Sequence, residues 1–215
     1  MKTGNYKLIL GALLSGLLLS SCVRNDYYNT QPNNNHNGYQ NEFYDDFSSD
    51  RYNWGFGSPN DSAYASVQSG ALTFVNYALG GLQTAVVSTG GNFNGDFSVS
   101  ASVKSDNRMG IIFGASGSDY GYSFIIDNGT GQFEVYKEGS ASVAASQILG
   151  WTTLSAITPN SWNLLKVEQV GNYWTGTVNG VQAFRISAYA VNGSRCGFIL
   201  LPNTVGHADD LDVKW

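Results

Sequence analysis

An all-β domain is what this sequence predicts, and three observations predict it. From Phe43 onward apolar and polar residues alternate in short runs, the mark of antiparallel strands with one buried face. Gly, Asn, Asp and Ser break those runs at turn positions. Aromatic residues are plentiful, with 13 Tyr, 11 Phe and 5 Trp, while only 13% of residues are charged. Such a composition favours half-buried pleated surfaces over solvated helices. About a dozen short strands without a useful helical period make a sandwich or a barrel. No self-similar repeat of roughly 20 to 50 residues recurs, so propellers and solenoids are set aside.

The chain opens differently. Lys2 and Lys7 precede an apolar run from Leu8 to Leu19, shorter than the about 20 residues of a membrane helix but suited to a signal peptide. It ends in Leu19-Ser20-Ser21-Cys22, which resembles the lipobox of bacterial lipoproteins. The resemblance implies removal of residues 1–21, a diacylglycerol on the Cys22 thiol and an acyl chain such as palmitate on the new amino group. Each buried CH₂ contributes about 0.8 kcal/mol, so two or three chains hold where one does not. The other readings are an ordinary secretory signal with a chance cysteine, or an uncleaved anchor. Val23 stands where some lipoproteins carry the Asp that retains them in the inner membrane. A bacterial outer membrane or cell surface is therefore the expected location, with the membrane as partner through the lipid.

Residues 22–42 read as a flexible tether rich in Asn and Gln, because such a segment cannot offset its ordering entropy by burial. His36 belongs to it and reads as a solvated residue. With Lys2 and Lys7 removed, 9 basic residues remain against 16 acidic ones, a net charge of −7. The basic residues never cluster, and nucleic acid is excluded as a partner for want of a basic stripe. Lipid on Cys22 leaves Cys196 without a disulfide partner. Within the apolar run Arg195 to Leu201 it reads as a buried, inert thiol.

Residues 43–215 form the displayed domain. Between Asp96 and Lys104, Phe97, Val99, Ala101 and Val103 share one face and Ser98, Ser100, Ser102 and Lys104 the other. In Gly110 to Ala115, Ile111 and Phe113 point inward, while Gly110, Ile112 and Gly114 leave the opposite face low enough for a ligand or another backbone. Tyr120 to Asp127 and Gln132 to Lys137 flank Asn128-Gly129-Thr130-Gly131 as a hairpin. Pairing Asp127 with Gln132 sets Ile125 against Glu134 and Ser123 against Tyr136 on a mixed, polar side. Three strands follow in Trp162 to Val170, Tyr173 to Val178 and Val181 to Ile186, the last two joined by the turn Asn179-Gly180. Arg195 to Leu201 and Asp209 to Trp215 complete the set.

Several of these segments taken together resemble the concanavalin A-like lectin/glucanase superfamily, its laminin-G-like and 3-keto-disaccharide hydrolase-like branches above all. They are Asp45-Asp46-Phe47-Ser48 with Trp54, Trp162 to Val167, Tyr173 to Gly180, Gly197-Phe198-Ile199 and Ala208 to Val213. The resemblance implies a two-sheet antiparallel jelly-roll sandwich, a curved sheet whose concave side often carries the glycan site, and first and last strands side by side. Asp45 and Asp46 would then approach Asp209 and Asp210. Those four either cap turns and accept backbone amides or hold a structural Ca²⁺; the turn-cap reading leads, and no cofactor is required. His207 is a loop residue on the first reading and a member of the site on the second.

Glucanases of this fold use paired carboxylates about 5 Å apart. The only glutamates here are Glu42, Glu134, Glu138 and Glu168, with no Glu-x-Asp-x-(x)-Glu pattern. Glu134 and Glu138 share a strand face but lie roughly 13 Å apart at strand rise. No Gly-x-Ser-x-Gly elbow occurs. These features argue against catalysis, and no residue is assigned a catalytic role.

Glycan binding needs an aromatic platform with polar side chains beside it. Tyr120, Tyr136, Trp151, Trp54 and Tyr189 are the aromatic candidates, each alternatively a core residue. Lys104, Arg108, Asp127, Glu134 and Lys137 are the polar ones. The leading expectation is a membrane-anchored, non-catalytic carbohydrate-binding module. The alternatives are an enzyme of the 3-keto-disaccharide hydrolase type, using Glu134, Asp127 or His207 in one pocket, and an envelope adhesion protein that contacts other proteins. Lipidation is checked by detergent partitioning of Cys22→Ala, which is expected to move the chain from the membrane to the aqueous phase; unchanged association refutes it.

Overall fold

In a computed structural model of the chain, residues 38–78, 80–116, 121–139 and 143–215 are described. The signal segment, Cys22, His36, most of the tether and Tyr120 lie outside them. Fourteen strands follow in order: β1 (Glu42–Asp45), β2 (Ala63–Gln68), β3 (Ala71–Asn76), β4 (Gln83–Ser88), β5 (Phe97–Ser105), β6 (Arg108–Ala115), β7 (Tyr122–Asp127), β8 (Gln132–Lys137), β9 (Ser146–Thr153), β10 (Asn163–Val170), β11 (Tyr173–Val178), β12 (Val181–Ser187), β13 (Arg195–Leu200) and β14 (Thr204–Lys214). Among the described residues there is no helix. The strands form two antiparallel sheets, an eight-stranded one ordered β12-β11-β10-β5-β14-β3-β2 with β1 also on β14, and a six-stranded one ordered β4-β13-β6-β7-β8-β9. This is the jelly-roll sandwich the sequence predicts.

Strand β14 closes the larger sheet. Along one edge it pairs with β5, and along the other first with β3 and then with β1. Its buried positions are Thr204, Gly206 and Ala208 in the first half and Leu211 and Val213 in the second, with Asp209 also buried where the two halves meet. Burial in a strand has period two, so passing from even to odd positions requires one extra residue. The register shift between Asp209 and Asp212 supplies it, with Asp210 at φ 54°. Gly206 explains why the sequence shows only the second half of this strand. Its missing side chain leaves room for Met109 and Leu200, so a buried position carries no apolar signal.

The first strand meets the last, with Phe43 opposite Val213 and Asp45 opposite Leu211. Gln40 and Asn41 add backbone hydrogen bonds to the Trp215 carbonyl, each of 3.0 Å, so pairing begins ahead of Phe43. Between the sheets lies one aromatic-rich core. Phe97, Val99, Ala101 and Val103 are fully buried in it, on the predicted face of β5. Trp174 packs edge-on against Phe113 and Tyr122, and its indole N–H donates to Gln169 Oε1 at 2.7 Å. Aromatic rings of this size supply most of the burial, provided their polar atoms find partners.

The β7–β8 hairpin has the predicted register, Asp127 with Gln132, Ile125 with Glu134 and Ser123 with Tyr136. Tyr122, Phe124, Ile126, Phe133 and Val135 therefore face the core. Because the alternation is strict, the intervening residues of β7 and β8 must share the sheet's other face.

Candidate functional site

The outer face of the six-stranded sheet collects Tyr136, Trp151, Arg108, Asp127 and Glu134, five of the ten ligand candidates named from the sequence. Register across the strands sets its side chains in rows. One row runs Val86, Gly197, Ile112, Ser123, Tyr136 and Gln147. The next runs Thr84, Ile199, Gly110, Ile125 and Glu134, and a third runs Arg108, Asp127 and Gln132. Ile112, Ile125 and Ile199 form an apolar cluster against which Val86, Trp151 and Leu201 pack. These isoleucines are 0 to 2% exposed, although they point away from the core. At Gly110 the β7 backbone comes so close that a Cβ would meet the Phe124 carbonyl and Ile125 Cα. The low face expected there is filled by a neighbouring strand.

Polar groups stand over this floor. Arg108 Nε donates to Asp127 Oδ2 at 3.0 Å, and its guanidinium lies 5.1 Å from the Trp151 ring centre. Such a cation against an aromatic face holds both in place. Ser123 Oγ donates to Glu138 Oε1, and Glu134 interacts with the Gln147 side chain. Glu134 and Glu138 are 6% and 3% exposed. Tyr136 and Trp151 stay half-buried, with part of each ring open to solvent.

Burial governs the electrostatics here, because it penalises a charge unless partners compensate. For Asp127 burial alone would raise the pKa. The Thr130 amide, the Arg108 guanidinium and the Gly129 amide together outweigh it and hold the carboxyl below its ordinary value. For Glu134 burial wins over the Gln147 hydrogen bond and the Arg108 charge, and Glu138 adds repulsion, so the carboxyl is pushed up. Glu138 is likewise raised by burial, which the Ser123 hydroxyl only partly offsets. One ionised acid and two reluctant ones thus share the face.

Other expected residues lie elsewhere. Lys104 sits on β5 opposite His207 of β14, in the other sheet, and both line a separate cleft of about 360 Å³ with Asp106 and Asn160. Lys104 therefore does not join the ligand set, and His207 does not converge with Glu134 and Asp127. The β5 alternation places Lys104 correctly on a wet face, but a single strand cannot tell which sheet that face belongs to. Trp54 is a core residue, its indole N–H donating to Asp45 Oδ2 at 2.8 Å. Lys137 stands opposite Tyr122, on the side of the sheet facing the core. Tyr189 packs on Tyr122 and Trp174. Cys196 is buried and free, its thiol pushed up to about 12 by burial.

The terminal aspartates are engaged individually. Asp45 Oδ1 accepts the Phe47 amide at 3.2 Å and lies 3.5 Å from Arg51. Asp46 Oδ1 accepts the Ser48 amide at 3.1 Å, Asp209 Oδ1 the Asp210 amide at 2.9 Å, and Asp210 Oδ1 the Tyr44 hydroxyl at 2.8 Å. Among the described residues no three acidic, histidine or cysteine side chains gather around a common point.

Ser123 and Gln147 belong to the face without having been singled out as ligand residues. Ser123 follows from the hairpin register. Gln147 does not, because two register shifts between β8 and β9 break the alternation there.

No family model matches this chain, and no curated protein matches it. Among solved structures it is similar to the carbohydrate-binding module CBM66 from Bacillus subtilis, at 14% identity and a TM-score of 0.47 over 75% of this chain and 92% of that one. A family 7 alginate lyase is similar at 12% identity and a TM-score of 0.43, over 73% and 84%. Sheep galectin-11 is similar at 11% identity and a TM-score of 0.41, over 58% and 97%.

The two raised carboxyls have a stability consequence. A carboxyl whose folded pKa lies above its unfolded one binds its proton more tightly in the folded state. Its stabilising contribution is complete below the ordinary value of 4.5 and is lost as pH rises through the raised value. A Glu134→Gln/Glu138→Gln double variant should therefore gain melting temperature over the parent at pH 7.5 but not at pH 4. The scale is about 3 °C per kcal/mol for a domain of this size. An equal difference at both pH values contradicts the assignment.

Proposed function

We propose that the sandwich is a carbohydrate-binding module carried on a lipid-anchored bacterial envelope protein. The observation that supports it is the combination on the outer face of the six-stranded sheet: the part-open rings of Trp151 and Tyr136 above an aliphatic floor, beside a guanidinium, carboxyl groups, an amide and a hydroxyl. A sugar ring presents C–H groups on one face and hydroxyls at its edge. Aromatic faces take the first and planar polar side chains the second. Arg108 and Asp127 fix each other, so they meet a ligand with little further loss of freedom. A tether between Cys22 and the first paired residue, Gln40, would hold this face clear of the membrane, and the Cys22 lipid would retain the protein at the surface.

A second reading rests on the same face. Glu134 and Glu138 interact electrostatically and both hold their protons above the ordinary carboxyl value, as a general acid must. That chemistry would make the domain a glycoside-processing enzyme with no part for His207.

Screening the full chain against a glycan array, with product analysis of every bound glycan, separates the readings. Binding without turnover is expected, together with a loss of at least about tenfold for Trp151→Ala and Tyr136→Ala, each checked to be folded by a cooperative thermal melt. A loss of that size equals about 1.4 kcal/mol. Release of product establishes the enzyme reading. Silence in both assays overturns both and leaves a protein-binding role at the envelope.

A further inference from the structure

Strands β4, β6 and β13 end together, since Arg195 pairs with both Ser88 and Ala115. Around those ends lies an open cleft of about 430 Å³, walled by the loop after β4 and the loop before β13. Its frame is fixed without a ligand. Thr89 donates through both its amide and its hydroxyl to the Ser194 carbonyl, at 3.1 and 2.8 Å. Gly193 presses so tightly on the Ala115 carbonyl that any Cβ there would collide with backbone, and Gly114 at φ +65° leaves room for Val191. The Asn94 amide donates to Asn92 Oδ1 at 3.2 Å, which closes the turn on the facing wall.

Among the described residues the lining is polar and carries no acidic side chain, and Arg195 is the one cation there. Among the described arginines, Arg51 and Arg108 lie on carboxylates and Arg185 lies over the Tyr173 ring at 3.7 Å. Arg195 instead donates to the Val86 carbonyl at 3.0 Å. No carboxylate of the described residues stands within ion-pair distance of it. In a chain with 16 acidic and 11 basic residues, a half-buried guanidinium with no acid beside it among the described residues is a distinctive feature. Arginine carries five N–H donors in a fork that matches a planar carboxylate. Around it Asn92, Asn94 and Asn192 offer donors and acceptors together, which suits hydroxyl groups. The volume falls within the range of small-molecule sites.

From this geometry we propose that the end cleft is a second binding site, with β6, β7 and β8 between its strand β13 and the Trp151 strand β9, which takes a uronic-acid residue of a glycan with its carboxylate on Arg195. The test titrates the full chain calorimetrically with glucuronate- and galacturonate-containing oligosaccharides and with their neutral counterparts. Uronate oligosaccharides should bind more tightly than the neutral ones, with an advantage that shrinks as salt is added. Arg195→Gln should remove at least about tenfold of that affinity, the scale of one charge-assisted hydrogen bond. Asn192→Asp, on an exposed loop, should weaken uronate binding comparably without threatening the fold. Trp151→Ala should leave uronate binding intact, so failure of the outer-face reading does not carry this site with it. Equal affinity for neutral and uronate oligosaccharides, full affinity in Asn192→Asp, or loss of uronate binding in Trp151→Ala would each overturn the proposal.

Discussion

Carboxyl groups on a sheet face that excludes water must be compensated or give up their charge, and the candidate site follows from that constraint. The outer face of the six-stranded sheet is nearly dry at its centre, where Ile112, Ile125 and Ile199 are covered. Asp127 meets the constraint by collecting two turn amides and Arg108. Glu134 and Glu138 have fewer partners, and burial pushes both carboxyls up. The same dryness strengthens each polar contact made there. A ligand that brings hydroxyls to these groups exchanges fewer bound waters than it would on an open surface.

The larger sheet makes this face available. Its closure by β14, with the bulge at Asp209 to Asp212, joins both ends of the domain at the back of the sandwich. Asp45 locks that junction by accepting the Phe47 amide and the Trp54 indole. The acidic residues that suggested a cation site are thus occupied with turns and side-chain donors. Structural work falls to the eight-stranded sheet, which leaves the outer face of the other free for polar side chains that the core has no use for.

Much of this was legible in the residues. Strict alternation in β5, and the loop Asn128 to Gly131 between β7 and β8, predict their faces and register, because period-two burial and turn geometry are local properties. From the hairpin alone, Glu134 and Tyr136 fall on one side with Ser123. The sequence does not reveal which strands share a sheet, since that depends on long-range pairing. Lys104 therefore looked like a companion of Arg108 while lying on the opposite layer beside His207. Gly206 hides half of β14, and the register shifts in β9 hide Gln147. The end cleft is invisible for a further reason: Arg195 stands out only once the described residues around it are seen to hold no acid.

The most direct test of the dry polar face needs no ligand. Carbon-detected nuclear magnetic resonance titration of the Glu134 and Glu138 side-chain carboxyls should find both midpoints above the ordinary 4.5, with Asp127 below its ordinary 3.8. Midpoints at or under 4.5 for both glutamates would mean that water reaches them freely, and the account of this face as a preorganised, sheltered site would not stand.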